Sequence, residues 1–249
     1  MLDAISYRLM RFARFDGGVL KWVALVTMLL DHTAATFAAT QSGVAFLVSI
    51  PQGPLLYEWM RAIGRTAFPI FAFLLVEGFT HTHNRRKHLL RLTVFALLSE
   101  YPFQRALFAE AAVPMRSVMM TLAVSFAMVM AIDWLWRQKL PAACRVLFSA
   151  ALALAVCALL EWLRTDYGWL GGAVVLIFYL LRRWRWLAAL AAYVLLGVAN
   201  STEWYAVAGI LLIVCYNGKK GKQPKWLFYV FYPAHLLLLY WCRLALLGS

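Results

Sequence analysis

The chain has 249 residues, 64% of them hydrophobic and only 14% charged, with a mean hydropathy of +0.72. A soluble domain holds roughly 45–50% apolar residues and about 25% charge, so a disordered chain, a collagen, a coiled coil and an ordinary soluble enzyme are excluded. The formal net charge of +13 would suggest nucleic acid in a soluble protein. In a chain this apolar it marks the basic cytoplasmic loops of a membrane protein, so lipids and not nucleic acid are the expected surroundings.

Residues 1–18, MLDAISYRLMRFARFDGG, interleave Arg8, Arg11 and Arg14 with apolar side chains. They read as an amphipathic, basic interfacial arm on a negatively charged leaflet. They lack the apolar core and cleavage site of a signal peptide. Residues 19–249 read as one transmembrane helix bundle, so the whole of 1–249 is a single integral-membrane domain. Apolar segments follow at about 20–41, 64–81, 89–109, 117–136, 142–162, 167–181, 186–200, 204–216 and 226–247. The sixth to eighth are shorter than the roughly 20 residues of a straight span. Tyr167, Trp169, Trp184, Trp186, Trp204 and Tyr205 at their ends supply interfacial anchors. Cys144, Cys157, Cys215 and Cys242 have no CxxC spacing and read as small core residues.

The basic residues order these segments. Those of the arm and Lys21, of 85–91, 137–145, 182–185 and 219–225 number 18 and fall on alternate connections. Arg61, Arg65, Arg105, Arg116, Arg164 and Arg243 make six on the other side. This predicts an all-α polytopic protein of about nine transmembrane helices, with the N-terminus cytoplasmic and the C-terminus periplasmic, in a bacterial inner membrane. Arg182–Arg185 and Lys219–Lys225 must share a side, so the chain between them goes out and returns, turning at 200–203. There is no internal repeat.

Several polar groups lie where hydrocarbon is expected. A charge near the bilayer centre costs roughly 2.5–3.5 kcal/mol on insertion scales. Asp31 and His32 sit about 14–15 Å into the first span at ~1.5 Å per residue. Asp31 lies on a stripe of small or hydroxyl residues, Ala24, Thr27, Ala34 and Ala38, that lets another helix come close. His235, in FYPAHLLLLYW, has a similar depth in the last span, and Pro233 before it removes a backbone donor. The plainer alternative for all three is polar glue between helices. Glu77 and His81 face the same way at the inner end of the second span, beside His83 and the Arg85, Arg86, Lys87 and Arg91 run. His81 and His83 diverge on a helix and no HExxH occurs, so no metal site is expected. A polar vestibule for an anionic cytosolic ligand fits better. Glu100 precedes Tyr101-Pro102 in the third span. Arg65 opens the second span, where it can snorkel or neutralise Asp31 or Glu100. Glu58, Glu110, Glu161, Asp166 and Glu203 fall in connections and read as solvated, and Asp133 suggests no role.

A basic inner mouth and a midplane Asp–His cluster suit chemistry on a cytosolic donor. Acetyl-CoA fits: its nucleotide is anionic, and its acyl arm is thin enough to pass between helices. A histidine is the natural general base for an amine or hydroxyl acceptor, and Asp31 can set its tautomer.

The stretches LKWVALVTMLLDHTAA, IGRTAFPIFAFLLVEGFTHTHNRRKHLLRL, FALLSEYPF and FYPAHLLLLYW resemble the TraX family of conjugative-pilus proteins, over roughly half the chain. The first two spans distantly resemble integral-membrane acyltransferases, including the heparan glucosaminide N-acetyltransferases. The TraX resemblance implies N-terminal acetylation of pilin, with acetyl-CoA as co-substrate and a pilin or other periplasmic-side acceptor as partner. It carries Asp31, His32, Arg65, Glu77, Glu100 and His235 forward as candidates. The family pattern often has an acid shortly after the SE-P-F segment, where Gln104 and Arg105 stand here. The expected catalytic set is Asp31, His32, His235, Arg65 and Glu100. The expected donor-binding set is Glu77, His81, Arg85, Arg86, Lys87 and Arg91. Rival readings are an O-acetyltransferase of a glycan or lipid, a proton-coupled transporter with Asp31, Glu77 and Glu100 as relay, and a structural factor in pilus assembly.

Overall fold

The structure is a computed structural model that describes residues 2, 3, 5, 13–222 and 225–248. Most of the expected basic arm, with Arg8 and Arg11, lies outside the described residues. Every regular element among them is helical: α1 (Gly17–Phe37), α2 (Gln41–Ser49), α3 (Gly53–Gly64), α4 (Ala67–His81), α5 (Arg85–Leu107), α6 (Val118–Trp136), α7 (Ala142–Trp162), α8 (Gly168–Leu180), α9 (Arg185–Ala199), a 3-10 turn (Ser201–Ala206), α10 (Val207–Val214) and α11 (Lys225–Leu247).

The helix starts follow local chemistry. Asp16 Oδ1 accepts from Val19 N at 2.9 Å to begin α1, and Asn84 Oδ1 accepts from Lys87 N at 2.9 Å to begin α5. Pro54 sits in the first turn of α3, where its missing N–H is harmless. Pro102 and Pro233 lie inside α5 and α11, which stay helical through them. Such prolines are tolerated where neighbouring helices satisfy the freed carbonyls.

Two elements lie where a connection is expected. Residues 41–49 and 53–64 are α2 and α3, and α3 runs into α4 through the bend at Arg65 and Thr66. The second apolar pass is therefore 29 residues, Gly53–His81. Glu58 and Arg61 interrupt the apolar run and conceal α3 in the sequence.

Side-chain and backbone contacts tie alternate connections together. At one end Arg85 reaches Asp133, Tyr179 also reaches Asp133, Arg14 N donates to Cys215 O, and Gly17 N donates to Lys219 O. This is the basic end. At the far end Arg116 N donates to Arg164 O, and Arg243 joins the ends of α1 and α5. Among the described residues these contacts sort the connections into two ends. Five helices are long and apolar enough to cross a membrane: α1, the α3–α4 unit, α6, α7 and α11. Three shorter apolar segments are α8, α9 and the 3-10 turn with α10. α7 is mostly exposed, whereas α4 and α6 bury much of their surface and form the centre of the bundle. All four cysteines are free.

Candidate functional site

Two polar clusters meet on α1, on consecutive residues. Neighbours on a helix diverge by about 100°, and Asp31 and His32 accordingly serve different partners. Asp31 faces α3: Arg61 NH1 donates to its Oδ2 at 2.8 Å and Arg65 NH2 to its Oδ1 at 2.6 Å. Arg61 and Arg65 are i and i+4, so one helix face delivers both guanidiniums. Gly64 makes the approach possible, since a Cβ there would overlap Asp31 Cβ and Oδ1. Arg65 NH1 also donates to Glu203 Oε1 at 3.1 Å. Glu203 is not solvated as its sequence position suggests. It is 2% exposed, in a 3-10 turn packed on α3.

His32 faces α11. Its Nδ1 lies 2.7 Å from His235 Nε2, and His235 Nδ1 lies 2.6 Å from Phe231 O. The rings are parallel within 5° with centroids 5.0 Å apart, which fits a hydrogen bond in the ring plane. Both rings meet Tyr232 edge-on, at 5.8 and 5.6 Å, and Phe231 lies over His235. The chain of bonds assigns the tautomers. A carbonyl oxygen only accepts, so His235 Nδ1 carries a proton and donates to Phe231 O. The neutral His235 Nε2 is then an acceptor, and His32 Nδ1–H donates to it. His32 Nε2 is left with a lone pair. Asp31 is committed to two arginines, and the tautomer of His32 is set by His235 instead.

Glu100 stands apart from both clusters. Ser117 N and Oγ donate to its Oε1 at 3.1 and 2.8 Å, and Arg116 lies 3.9 Å from Oε2. It anchors α5 to the N-terminus of α6, where a negative charge is favoured by the helix dipole.

The expected donor-binding residues gather at the basic end. Arg85 donates to Asp133 Oδ2 at 2.6 Å and lies 3.9 Å over the Phe79 ring. Arg137 Nε donates to the same Asp133 oxygen at 3.0 Å, and Tyr179 O–H to Oδ1 at 3.3 Å. Asp133, without an evident role in the sequence, is the hub that holds these cations. Beside it opens a cleft of about 600 Å³ lined by His83, Arg85, Arg86, Trp134 and Arg137 among others. Arg86 and Lys87 are exposed. Arg91 is half-buried, 5.8 Å over the Tyr229 ring. The His81 side chain is 71% exposed and its Nδ1 is 3.8 Å from Glu77 Oε2. Glu77 accepts a hydrogen bond from Tyr216, whose hydroxyl is pushed up to about 12 by burial first and by the Glu77 charge second. No group of three or more His, Cys, Asp or Glu suited to a metal ion occurs among the described residues.

The short helices shape the far end. α8 has 13 residues against 21 in α1 and α7. At the basic end α8 is tied to α6 by the Tyr179–Asp133 bond. At the far end α8 begins level with the end of α7 and the start of α6, since Trp169 N donates to Glu161 Oε2 and Thr165 pairs with Arg116, while α1 and α5 run on past Asp31 and Glu100. There Tyr167 stacks on Phe68, centroids 3.6 Å apart, one turn below Arg65. Gly209 likewise presses α10 against the bend, since a Cβ there would lie 2.7 Å from Thr66 O. The floor of the recess is thus the Asp31–Arg65–Glu203 network. α1 continues about 9 Å beyond Asp31 and α3 about 16 Å beyond Gly64, at ~1.5 Å per residue. The floor is not sealed: the Arg61 side chain is 34% exposed and that of Arg65 16%. Asp166, on the connection before α8, is solvent-exposed. Desolvation by the protein that surrounds that connection is the largest cause that pushes its carboxyl up to about 6; Arg65 and Arg61 oppose the shift, and Asp31 and Glu203 reinforce it. Sequence reasoning missed Asp166 and Glu203 because both stand in polar connections; the signal that was available is the shortness of the flanking helices.

The model of the TraX protein family matches residues 16–243. A probable fimbrial assembly protein FimC, serogroup H1, of Dichelobacter nodosus is 29% identical over 247 residues, which cover 90% of this chain and 94% of that protein. Protein TraX of Escherichia coli is 28% identical over 198 residues, covering 78% of this chain and 52% of that protein. No solved structure matches. The matched span holds both polar clusters and the basic cleft, and the chain belongs to the TraX family.

Proposed function

We propose that this protein is an acetyltransferase of the bacterial inner membrane that carries an acetyl group from acetyl-CoA at the basic end to an amine at the far end, the acceptor being the N-terminus of a pilin. The observation that carries the reading is the His32–His235–Phe231 chain, which leaves His32 Nε2 as a free base within the bundle. The relatives support the acceptor, one being named for fimbrial assembly. In this reading the basic end is cytoplasmic.

The cleft beside Asp133 offers Arg85, Arg86 and Arg137 to the phosphates of the donor and Trp134 to its adenine, with Asp133 keeping Arg85 and Arg137 oriented. Acetyl-CoA supplies the acyl group as a thioester. His32 Nε2 removes a proton from the acceptor nitrogen as that nitrogen bonds to the thioester carbon. The carbon–sulfur bond then breaks, and the same proton passes to the departing sulfur, giving free CoA and an N-acetylated acceptor. His235 holds His32 in its reactive tautomer and shares the positive charge through Nδ1–H and Phe231 O. Arg65 and Arg61 stay on Asp31, so they fix the acceptor's approach and take no proton.

The experiment measures CoA release and acetylated product with the full chain in nanodiscs, acetyl-CoA and an amine-terminated peptide. His32→Ala is expected to lower turnover by about 10²–10⁴. His235→Ala is expected to lose less, because the base remains and only its tautomer is released. Absence of transfer in the wild type, or full turnover in His32→Ala, overturns the reading.

A further inference from the structure

The recess at the far end carries a charge imbalance. Asp31, Glu203 and Asp166 face two guanidiniums, Arg61 and Arg65, and these are the charged groups that bear on Asp166. Three carboxylates against two cations leave one negative charge over. Of the other cations on that side, Arg116 pairs with Glu100 at 3.9 Å, and Arg164, exposed on the same connection, is not among the charges that bear on Asp166. The imbalance has an address. Glu203 is 2% exposed, its Oε1 takes Arg65, and its buried Oε2 has no hydrogen-bond partner among the described residues. A buried carboxylate oxygen without a donor is costly and calls for one. The side chains of Arg61 and Arg65 are partly exposed, so a small polar group can approach the network past them.

We propose that Glu203 Oε2 and the Asp166 carboxylate form a binding site for the charged amine of the acceptor. The ligand is a primary ammonium on a flexible chain end. It has three donors and one positive charge, which match the unpartnered oxygen and the unbalanced carboxylate. A hydroxyl or a glycan offers no charge and gains little there. The site lies on the α3 side of α1 and His32 on its α11 side, one residue apart, so the acceptor passes from one face of α1 to the next. The ammonium docks in the recess and gives up one proton to solvent there; the neutral amine moves on to His32 Nε2, which takes only the proton that acylation displaces and that ends on sulfur. Glu203 and Asp166 are specificity-determining residues, and the naming of the ligand as an acceptor rests on the acetyl-transfer reading.

Binding is read without the reaction. The full chain in nanodiscs, with no acetyl-CoA, is titrated calorimetrically with alanyl-alanine amide and with its lactyl analogue, in which a hydroxyl replaces the α-amine. The wild type is expected to bind the amine at least about tenfold more tightly, the worth of one charge-assisted hydrogen bond. Glu203→Gln and Asp166→Asn are each expected to remove most of that preference. Asp166→Asn changes an exposed residue and leaves the Arg65 network in place, so its result stands even where Glu203→Gln fails to fold. Equal binding of the two probes, or an unchanged preference in Asp166→Asn, overturns the site. Preference without acetyl transfer removes the enzyme reading and keeps the ammonium site. Transfer without preference does the reverse.

Discussion

Arg243 closes the far end of the bundle. It is 1% exposed, and its guanidinium donates to Thr36 O at 3.0 Å, Ala106 O at 2.8 Å and Arg105 O at 2.9 Å, the terminal carbonyls of α1 and α5. Only the arginine fork spans two helix ends at once. Arg243→Met leaves helix-end carbonyls short of a donor and is expected to cost about 1–3 kcal/mol for each that stays buried and unpaired, with Arg243→Lys falling between; thermal unfolding in detergent reads both. The sequence marks Arg243 only as one cation of six on the sparser side, because its partners are backbone atoms that no residue type announces. Asp31, His32 and His235 were legible by their depth in apolar runs, but not the division of labour between Asp31 and His32. At the recess, Asp166 supplies a pH dependence. Its carboxyl, pushed up to about 6, is charged above that value and neutral below it, with Arg65, Arg61, Asp31 and Glu203 as its charged neighbours. A peptide α-amine, with a pKa near about 8, stays protonated from pH 5 to 7. Affinity for the amine probe is therefore expected to rise from pH 5 to pH 7, and the rise to vanish in Asp166→Asn; calorimetry at both values decides.

The informative element is the broken pass α3–α4. Neither half is a span by itself, with 12 and 15 residues. Joined at the bend they cross the bundle and place Arg61 and Arg65 over Asp31. Sequence periodicity found α4, whose apolar content is continuous, and passed over α3, whose polar face serves the recess. Charges that look like a connection can thus be the inward face of a helix. Gly64 at the end of α3 is the point of contact. Gly64→Ala is expected to push α3 from α1 and break both Asp31 ion pairs, at about 3–5 kcal/mol. The melting temperature in detergent should fall with it, and an unchanged value would show that α3 can retreat without consequence.

On the scale of the whole molecule the helix lengths and the charges describe one arrangement. α8 is about 20 Å long at ~1.5 Å per residue, less than the roughly 30 Å hydrocarbon core. α9 and the 3-10 turn with α10 are similarly short. Hydropathy alone therefore ranks these three below a span. The basic residues point the other way: Arg182–Arg185 and Lys219–Lys222 lie on connections with α9 and α10 between them, as two short crossings would require. Short passes are tolerable where the bilayer thins locally or flanking residues snorkel to meet them. This makes the topology checkable through three connections. In a background without native cysteines, Asn200→Cys is expected to react with a membrane-impermeant maleimide in intact spheroplasts. Arg183→Cys and Lys219→Cys are expected to react only after permeabilisation. If all three react alike, α9 and α10 do not cross, the recess is not open to the periplasmic side, and an acceptor cannot reach Glu203 by that route.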